Sequence, residues 1–525
     1  MKQNNNKLAG TALIVMISIV ASRLTGFIRE TLVPNFIGVN ELGDAYNMAF
    51  NITGLMYNLL IGGAIAAALI PVLSGYIAKD DEKEGWLCVS TFVNVLFLSM
   101  LVVCTLGIIF APFLVSIIAK GFTDPEQIEL TITLVRILFP SVAFLMLAGL
   151  ANGVLNSYRR FVASAFGPSF YNLGCSISIV LFGRDNQNIQ NVAYGIVATS
   201  FLYFLLQLTF SFKHLNFYRF ALNLKHKGFQ KLLKLSIPSL IASSVVQINM
   251  LIVSSFATFL QSGSVTSYHV ADRIWQMPYG VFAQGIGIAM LPSISAMFAL
   301  KEIEDFKFTV QKALRFTSYI MIPCCFIFIF LRFEIIAIIF QFTEMFPDSY
   351  ADLTANILAF FAFAMLSQSI VTILNRVFYA TNDTKTPLWA GLSTIVVIFL
   401  LGFFFIKLTP LAASGLALSY TLASIINAFL LYILLIRKIG TINMKVYSFA
   451  LKQIPAIILT VAFLILSNKY IFSLELTRIT AFLSLSVVSI ISFVLYFFIT
   501  LMFKLEEAHY LKEKILEKIS RHANK

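Results

Sequence analysis

Residues 11–30 read TALIVMISIVASRLTGFIRE, an apolar run that ends with two arginines and a glutamate. A run of about 20 apolar residues is long enough for a helix to cross a bilayer. Similar runs recur along all 525 residues, of which 59% are hydrophobic and only 12% are charged. The runs are continuous rather than alternating, which excludes a transmembrane β-barrel. The sequence therefore predicts an all-α polytopic membrane protein.

Fourteen transmembrane helices are predicted from these runs. They cover residues 8–36, 42–76, 86–118, 126–154, 161–182, 191–212, 235–260, 267–299, 309–331, 351–380, 386–406, 412–436, 447–468 and 477–503. With the N-terminus placed in the cytoplasm, most of the 38 Lys and Arg residues fall in cytoplasmic segments. This asymmetry predicts an even number of spans with both termini cytoplasmic. It also accounts for the net charge of +13 without a nucleic-acid partner.

Two segments of the first half of the chain recur in the second half. ALIPVLSGYIA at residues 68–78 is similar to AMLPSISAMFA at 289–299. LNSYRRFVASAFGP at 155–168 is similar to LNRVFYATNDTKTP at 374–387. An offset of about 220 residues contains six helices, so the two copies are expected to have the same membrane orientation.

The repeat predicts the domain organisation. Two six-helix lobes are expected, related by a pseudo-twofold axis along the membrane normal. They cover residues 1–222 and 223–440, and an extra helix pair covers 441–503. Residues 504–525 are predicted to form an amphipathic cytoplasmic tail, and 224–236 a similar helix at the membrane surface.

Arginines inside predicted spans are the main functional signal. Arg23 and Arg29 lie in helix 1, and Arg273 lies in helix 8. A charge at the bilayer centre costs about 2.5–3.5 kcal/mol on insertion scales, so such residues face protein or a water-filled cavity. Ser22, Gly26 and Arg29 share one helical face, because they are spaced i, i+4 and i+7. If the two lobes enclose a cleft, the arginines line it and favour an anionic substrate, especially a phosphate or diphosphate.

Acidic residues near these arginines leave a second interpretation open. Asp44 opens helix 2, and Asp272 precedes Arg273 in helix 8. The pairs Arg29–Asp44 and Asp272–Arg273 are therefore alternatively interpreted as structural ion pairs.

Glycines and prolines predict bends in helices 2 and 8. They are Gly62, Gly63 and Pro71 in helix 2, and Gly280, Gly285, Gly287 and Pro292 in helix 8. Bent helices beside a cleft are typical of transporters that work by alternating access.

Three segments carry a family resemblance. SRLTGFIRETLVPNFIG (22–38), GGAIAAALIPVLSGY (62–76) and GSVTSYHVADRIWQMPYGVFAQGIGIAMLPSIS (263–295) closely resemble the bacterial lipid II flippases of the MviN/MurJ type. These belong to the multidrug/oligosaccharidyl-lipid/polysaccharide (MOP) exporter superfamily. The resemblance covers essentially the whole chain. It implies a flippase, not an enzyme, that moves undecaprenyl-diphosphate-linked lipid II from the cytoplasmic to the outer leaflet for peptidoglycan biosynthesis.

The resemblance also implies a site. In that family, helices 1, 2, 7 and 8 line a cavity whose cationic residues bind the diphosphate, and the last two helices hold the polyprenyl tail. The implied substrate-binding residues are Ser22, Arg23, Arg29, Asp44 and Arg273. The implied gating or supporting residues are Gly26, Glu30, Asp272 and Gln276, where many relatives have an acid at the position of Gln276. The expected protein is a monomer without catalytic residues, cofactor or metal, whose partners are lipid II and membrane lipids and whose coupling is to an ion or the membrane potential.

Two other functions remain as alternatives. One is a flippase for another polyprenyl-diphosphate-linked polysaccharide or another MOP-type exporter, because such cargo can also carry a diphosphate. The other is an intramembrane prenyltransferase-like enzyme, since NELGD (40–44) has the spacing of half a magnesium-diphosphate motif. A second acidic cluster on a facing helix would be needed for that chemistry, and the sequence offers none.

Overall fold

The computed structural model describes residues 2–61, 68–184, 188–474 and 477–523. Within these ranges the regular elements are all helical, without a β-strand. A helix satisfies its own backbone N–H and C=O groups, which is what a long apolar segment in a bilayer requires. The predicted all-α class is confirmed. Gly62 and Gly63, two of the predicted bend residues, lie outside the described residues.

The helices form two compact units. The first comprises Met1–Thr266 with Thr343–Phe346, and the second comprises Ser267–Phe342 with Pro347–Lys525. The domain boundaries drawn from the sequence repeat stay predictions.

The first unit contains the helices of the N-terminal half. They are α1 (Lys2–Phe36), α2 (Glu41–Ile61), α3 (Ile70–Ile77), α4 (Glu82–Ile109), α5 (Ala111–Ile118), α6 (Pro125–Ser157), α7 (Phe161–Phe182), α8 (Ile189–Ser211) and α9 (Lys227–Ala257). A 3₁₀ turn, Phe212–Phe217, follows α8. The start of α9 at Lys227 means that the separate surface helix predicted for 224–236 is wrong, because most of that segment is continuous with α9.

Small residues let the helices of the first unit approach closely. Helix α1 packs along α7, and α6 packs along α8. Between α7 and α8, a Cβ atom on Gly174 would lie 2.3 Å from the Thr199 side chain, and one on Gly195 would lie 2.3 Å from Ser178 Oγ. A larger residue at either glycine would force the helices apart.

The second unit contains the remaining helices, and α10 begins three residues before it. They are α10 (Ser264–Pro278), α11 (Gln284–Ala299), α12 (Ile303–Phe330), α13 (Arg332–Phe340), α14 (Asp348–Ala380), α15 (Lys385–Leu408), α16 (Ala412–Ile439), α17 (Val446–Tyr470), α18 (Arg478–Met502) and α19 (Glu506–Ala523). A π-helical segment, Tyr279–Ala283, joins α10 to α11 and includes Gly280, one of the predicted bend residues. One buried apolar cluster joins α11, α12, α14 and α16, and another joins α12 to α17, α18 and α19. The predicted tail helix is present as α19.

The order and length of the helices repeat between the two halves of the chain. The 28-residue α4 is followed by one residue, Phe110, and the 8-residue α5. The 28-residue α12 is followed by Leu331 and the 9-residue α13. Helices α4 and α12 begin at Glu82 and Ile303, 221 residues apart, and each set is followed by a 33-residue helix, α6 or α14.

The turns before α4 and α12 match as well. Asp81 N donates to Tyr76 O at 3.1 Å, and Glu302 N donates to Met297 O at 2.9 Å. The residue before each donor, Asp80 or Lys301, has a positive φ of 55° or 60°. This pattern is the Schellman helix ending, in which a left-handed residue lets the chain satisfy the last carbonyl groups.

Eleven helices in the described part of the chain are long and apolar enough to cross a membrane. The chain is thus a multi-pass membrane protein, and the count of fourteen spans stays a prediction. The predicted span 86–118 differs from the structure, because its helix is broken at Phe110. The predicted span 42–76 stays a prediction, because its residues 62–67 lie outside the described ranges.

Candidate functional site

Arg29 is held by three helices of the first unit. Its Nη2 atom lies 2.5 Å from Oε1 of Glu30, and its Nη1 atom donates to Asn172 Oδ1 on α7 at 3.2 Å. The guanidinium carbon lies 6.0 Å from the centroid of the Phe50 ring on α2. Charge-assisted hydrogen bonds of this kind fix orientation as well as position. The side chain remains 18% exposed, so the arginine is oriented but still partly accessible.

Asn172 also binds the neighbouring turn of α1. Its Nδ2 atom donates to the Ser22 carbonyl oxygen at 3.3 Å. A Cβ atom on Gly26 would lie 3.3 Å from the same nitrogen, so the glycine gives Asn172 room to approach α1. The structure thus brings Ser22, Gly26 and Arg29 together around one carboxamide. Asn172 was missed in the sequence, where only its polarity within the apolar run 161–182 marks it.

Arg23 has different surroundings from Arg29. Its side chain is exposed and lines a cavity of about 430 Å³ within the first unit. The polar residues of this lining are Ser18, Ser22, Arg23, Asn156 and Ser164, and the remainder is apolar. Among the described residues that line the cavity, Arg23 alone carries a charge. This lining suits an anion rather than a cation.

Asp44 binds backbone groups at the start of α10, within the first unit. Its side chain is 2% exposed. Oδ2 accepts a hydrogen bond from Gly263 N, and Oδ1 accepts from both the backbone N and Oγ1 of Thr266, all at 2.8 Å. A carboxylate at a helix N-terminus satisfies free N–H groups and interacts favourably with the helix dipole. This geometry favours capping of α10 over direct substrate contact.

In the second unit, Asp272 is joined to Gln276. Asp272 is 7% exposed; its Oδ1 atom accepts from Trp275 Nε1 at 3.1 Å, and its Oδ2 atom accepts from Gln276 Nε2 at 2.6 Å. Trp275 stacks against Phe361 with ring centroids 5.9 Å apart. Arg273, the residue after Asp272 on α10, is half-buried. The carboxylate is therefore fixed by side chains of its own helix.

The groups available to a ligand near Arg23 and Arg29 are mainly hydrogen-bond donors. In the ranges that the structure describes, no three His, Cys, Asp or Glu side chains form a group that could hold a metal ion. The guanidinium, carboxamide and hydroxyl groups near α1 can instead bind phosphate oxygens.

A family model described as lipid II flippase MurJ matches residues 33–488 of the chain. The chain belongs to the MurJ family. Members of this family are flippases, so the chain is a transporter rather than an enzyme.

The relatives found by sequence agree with this family, and similar solved structures show the fold. A probable lipid II flippase MurJ of Buchnera aphidicola subsp. Schizaphis graminum is 28% identical over 467 residues, covering 87% of this chain and 89% of the relative. The lipid II flippase MurJ of Burkholderia cenocepacia is 28% identical over 418 residues, covering 78% and 80%. A MurJ structure in an inward closed conformation aligns with a TM-score of 0.76 at 23% identity, covering 92% and 98%. An inward-facing multidrug transporter of the MOP superfamily aligns at 0.68 with 15% identity, covering 81% and 98%, so the two structures share the fold of this chain.

Proposed function

We propose that this protein translocates lipid II from the cytoplasmic to the outer leaflet of the plasma membrane by alternating access. The observation that carries the proposal is Arg29, which is oriented by Glu30 and Asn172 yet partly accessible, on a helix that the sequence predicts to span the membrane. A guanidinium binds phosphate oxygens through paired N–H groups. The membership of the MurJ family supplies the identity of the cargo.

The proposed binding step exchanges one anion for another. In the structure the Glu30 carboxylate accepts a hydrogen bond from Nη2 of Arg29. A diphosphate carries more negative charge than a carboxylate and offers several oxygens, so it competes with Glu30 for the same guanidinium. Arg23 and Arg273 are proposed to bind the diphosphate as well.

The proposed transport cycle uses two six-helix lobes related by a pseudo-twofold axis, with an extra helix pair for the polyprenyl tail. The repeated order of α4–α6 and α12–α14 supports this arrangement. The π-helical segment at Tyr279–Ala283 supports bending between α10 and α11, because π-helical turns interrupt the regular hydrogen bonding of an α-helix. We propose that the chain has fourteen spans with both termini in the cytoplasm and that it functions as a monomer.

The membrane potential is a proposed energy source. A charge that crosses the field gains about 2.3 kcal/mol per 100 mV, so a cycle that moves the site arginines with or without bound diphosphate is sensitive to voltage.

Complementation tests the proposed function. Cells depleted of their own lipid II flippase are supplied with the wild-type chain, Arg29→Ala or the control Arg136→Ala. Arg136 is an exposed arginine in α6 whose Nε donates to Ile108 O. We expect growth with wild type and Arg136→Ala, and lipid II accumulation in the inner leaflet with Arg29→Ala. Normal growth and normal leaflet distribution with Arg29→Ala, at matched protein levels, would contradict the proposal.

A further inference from the structure

The connecting segment, residues 212–226, joins α8 to α9 within the first unit and combines exposed cations with exposed apolar side chains. Lys213, Arg219 and Lys225 are exposed, and none of the three has an ion pair with a described residue. The large apolar side chains that are exposed in this segment are Phe212, Phe217, Tyr218, Phe220, Leu222 and Leu224. Cations beside aromatic and aliphatic groups are typical of segments that lie at a membrane surface.

Polar side chains of α4 hold the backbone of the connecting segment. Asn94 Nδ2 donates to the carbonyl oxygens of Arg219 and Ala221, at 3.4 and 2.9 Å. Ser90 Oγ accepts from Arg219 N at 3.2 Å. Ser90 and Asn94 are 0% and 2% exposed, so the segment covers them. Non-helical backbone beside hydrocarbon needs protein partners for its N–H and C=O groups, and α4 supplies them here.

The order of these contacts gives the direction of the connecting segment. Arg219 contacts Asn94, which lies about 18 Å along α4 from its first residue, Glu82. At the other end of the segment, His226 Nε2 lies 2.7 Å from Glu84 Oε1. The segment therefore runs along α4 toward the end that the charge asymmetry assigns to the cytoplasm.

The beginning of α9 extends the basic surface. Lys227, Lys231 and Lys234 are spaced i, i+4 and i+7, so they share one helical face, and all three are exposed. Residues 186–271, which include the connecting segment and this face of α9, contain no Asp or Glu. The connecting segment and the lysine face, together called the basic surface, thus contribute only cations as their own charged groups.

We propose that the basic surface binds the headgroups of anionic phospholipids in the cytoplasmic leaflet. Its cations are complementary to lipid phosphates, and its exposed phenylalanines and leucines fit the boundary between headgroups and acyl chains. A soluble acidic protein would also be complementary in charge. The backbone bonds to α4 favour the membrane, because a segment surrounded by water does not need them. The proposal does not depend on lipid II as the cargo.

Lipid retention by the full-length protein tests the proposal. The protein is reconstituted in vesicles with equal amounts of dioleoylphosphatidylglycerol and dioleoylphosphatidylcholine and purified in a mild detergent, and the lipids that it retains are quantified by mass spectrometry. The test variant combines Lys213→Gln, Arg219→Gln and Lys225→Gln.

A matched control removes the same charge from segments that also contain acidic residues. It combines Lys79→Gln and Lys83→Gln in KDDEKE (79–84) with Lys301→Gln in KEIED (301–305). These lysines are exposed as well, and the charge asymmetry assigns them to the same side of the membrane.

We expect the wild type to retain more phosphatidylglycerol than phosphatidylcholine. A cation close to an anionic membrane surface strengthens binding about fivefold, so the test variant should lower the retained ratio by about fivefold or more, and the control should keep it. Ionic strength of about 1 M, where the screening length is about 3 Å, should lower the ratio of the wild type toward that of the test variant. An unchanged ratio in the test variant, or an equal fall in both variants, at equal thermal stability, would overturn the proposal.

Fluorescence quenching tests the position of the basic surface independently of its charge. Bimane is attached to Phe220→Cys, at a residue that is 72% exposed, while the native cysteines are buried. The control is Glu304→Cys, in the first turn of α12, where the native side chain is 87% exposed. In vesicles we expect doxyl-labelled lipid to quench bimane at 220, and acrylamide to quench it at 304. Equal quenching by acrylamide at both positions would show that the surface faces water, which would overturn the proposal and favour a soluble partner.

Discussion

At the scale of single residues, we expect Glu30 to control how readily Arg29 binds an anion. The two side chains are 2.5 Å apart, and both are mostly buried. Glu30→Gln removes the competing charge, so we expect farnesyl diphosphate to bind up to about fivefold more tightly. Isothermal titration of the purified protein measures this. The control is Glu41→Gln, an exposed glutamate at the start of α2; weaker binding to Glu30→Gln than to the control would contradict the exchange of Glu30 for diphosphate.

The family resemblance implies that Asp44 binds the substrate, whereas in the structure its carboxylate binds the start of α10. Asp44→Asn replaces an oxygen that accepts from Gly263 or Thr266 with an amide that donates. We expect a loss of about 1–3 kcal/mol in the free energy of unfolding, with diphosphate affinity little changed. Thermal unfolding and probe binding measure the two effects. Asp81→Asn is the control, since Asp81 is exposed and its side chain caps no helix.

A reversed result would restore the substrate role of Asp44. If Asp44→Asn unfolds like the wild type but loses diphosphate affinity, the carboxylate contacts the substrate and its bonds to α10 are secondary.

The sequence predicts which residues share a helical face, but not what lies opposite that face. Ser22, Gly26 and Arg29 could be grouped by helical spacing alone. Their partner Asn172 is 143 residues from Arg29, and no local pattern links the two. Asn156 and Ser164 lie in the segment 155–168, which the sequence identifies only as part of the repeat. Their proximity to Arg23 depends on how α1, α6 and α7 pack.

At the scale of helices, a buried arginine anchors the C-terminal helix to the second unit. Arg315 on α12 is 5% exposed, and its Nε atom lies 2.6 Å from Glu507 Oε1 in the first turn of α19. Its guanidinium also lies 5.0 Å from the Phe449 ring of α17. Helix α19 is therefore fixed at its beginning, while its later turns carry exposed charges such as Lys514.

We expect Glu507→Gln to release α19. Arg315 keeps its contact with Glu506, whose Oε2 atom lies 3.3 Å from Nη1 but whose side chain is 63% exposed. Losing the buried partner therefore costs up to about 3–5 kcal/mol. Hydrogen exchange across α19 should then be faster, and trypsin should cleave after Lys512 and Lys514 sooner. The control is Glu517→Gln, which removes the exposed pair with Lys514. Equal protection of α19 in the two variants would contradict the anchoring role of Arg315.

The turn between α14 and α15 gives a pH-dependent prediction. Burial raises the pKa of Asp383, but hydrogen bonds from Thr386 and Lys438 outweigh it and lower the pKa to about 2. In an unfolded chain the pKa is about 3.9, so the stabilisation is present above about pH 4 and is lost as the pH falls toward about 2.

Asp383→Asn should therefore lower the free energy of unfolding by about 1 kcal/mol at neutral pH, a modest value because the Asp383–Lys438 pair is partly exposed. The difference from wild type should disappear near pH 2. Thermal unfolding between pH 2 and pH 7 measures it, with Asp305→Asn at an exposed position of α12 as the control. A difference that is the same at every pH would show that the carboxylate charge is not its cause.

Mean hydropathy identifies long apolar segments, but it does not show where a helix breaks at a single residue. The segment 86–118 is apolar throughout, yet the helix ends at Ile109 and restarts at Ala111. Pro112 in the first turn of α5 is a local sign of this break, because proline fits the start of a helix better than its interior. Leu331 interrupts the matching helices of the second unit, where the first turn of α13 contains no proline. That break could be predicted only from the repeat.

At the scale of the whole molecule, the charge asymmetry and the number of predicted spans together predict the side of the membrane on which each connecting segment lies. Lys225 lies in an exposed segment that the sequence assigns to the cytoplasm, and Lys407 lies in an exposed segment assigned to the outside. Five predicted spans separate them, so an error of one span would place both on the same side. The five native cysteines are buried, which keeps background labelling by a thiol reagent low.

We expect Lys407→Cys to react with a membrane-impermeant maleimide in intact cells, and Lys225→Cys to react only after the membrane is permeabilised. The two variants are matched in residue type and exposure, so each is the control for the other. Reaction of both in intact cells would mean that an even number of spans separates them. Reaction of Lys225→Cys alone would invert the topology. Either result would contradict the proposed topology, in which both termini are cytoplasmic.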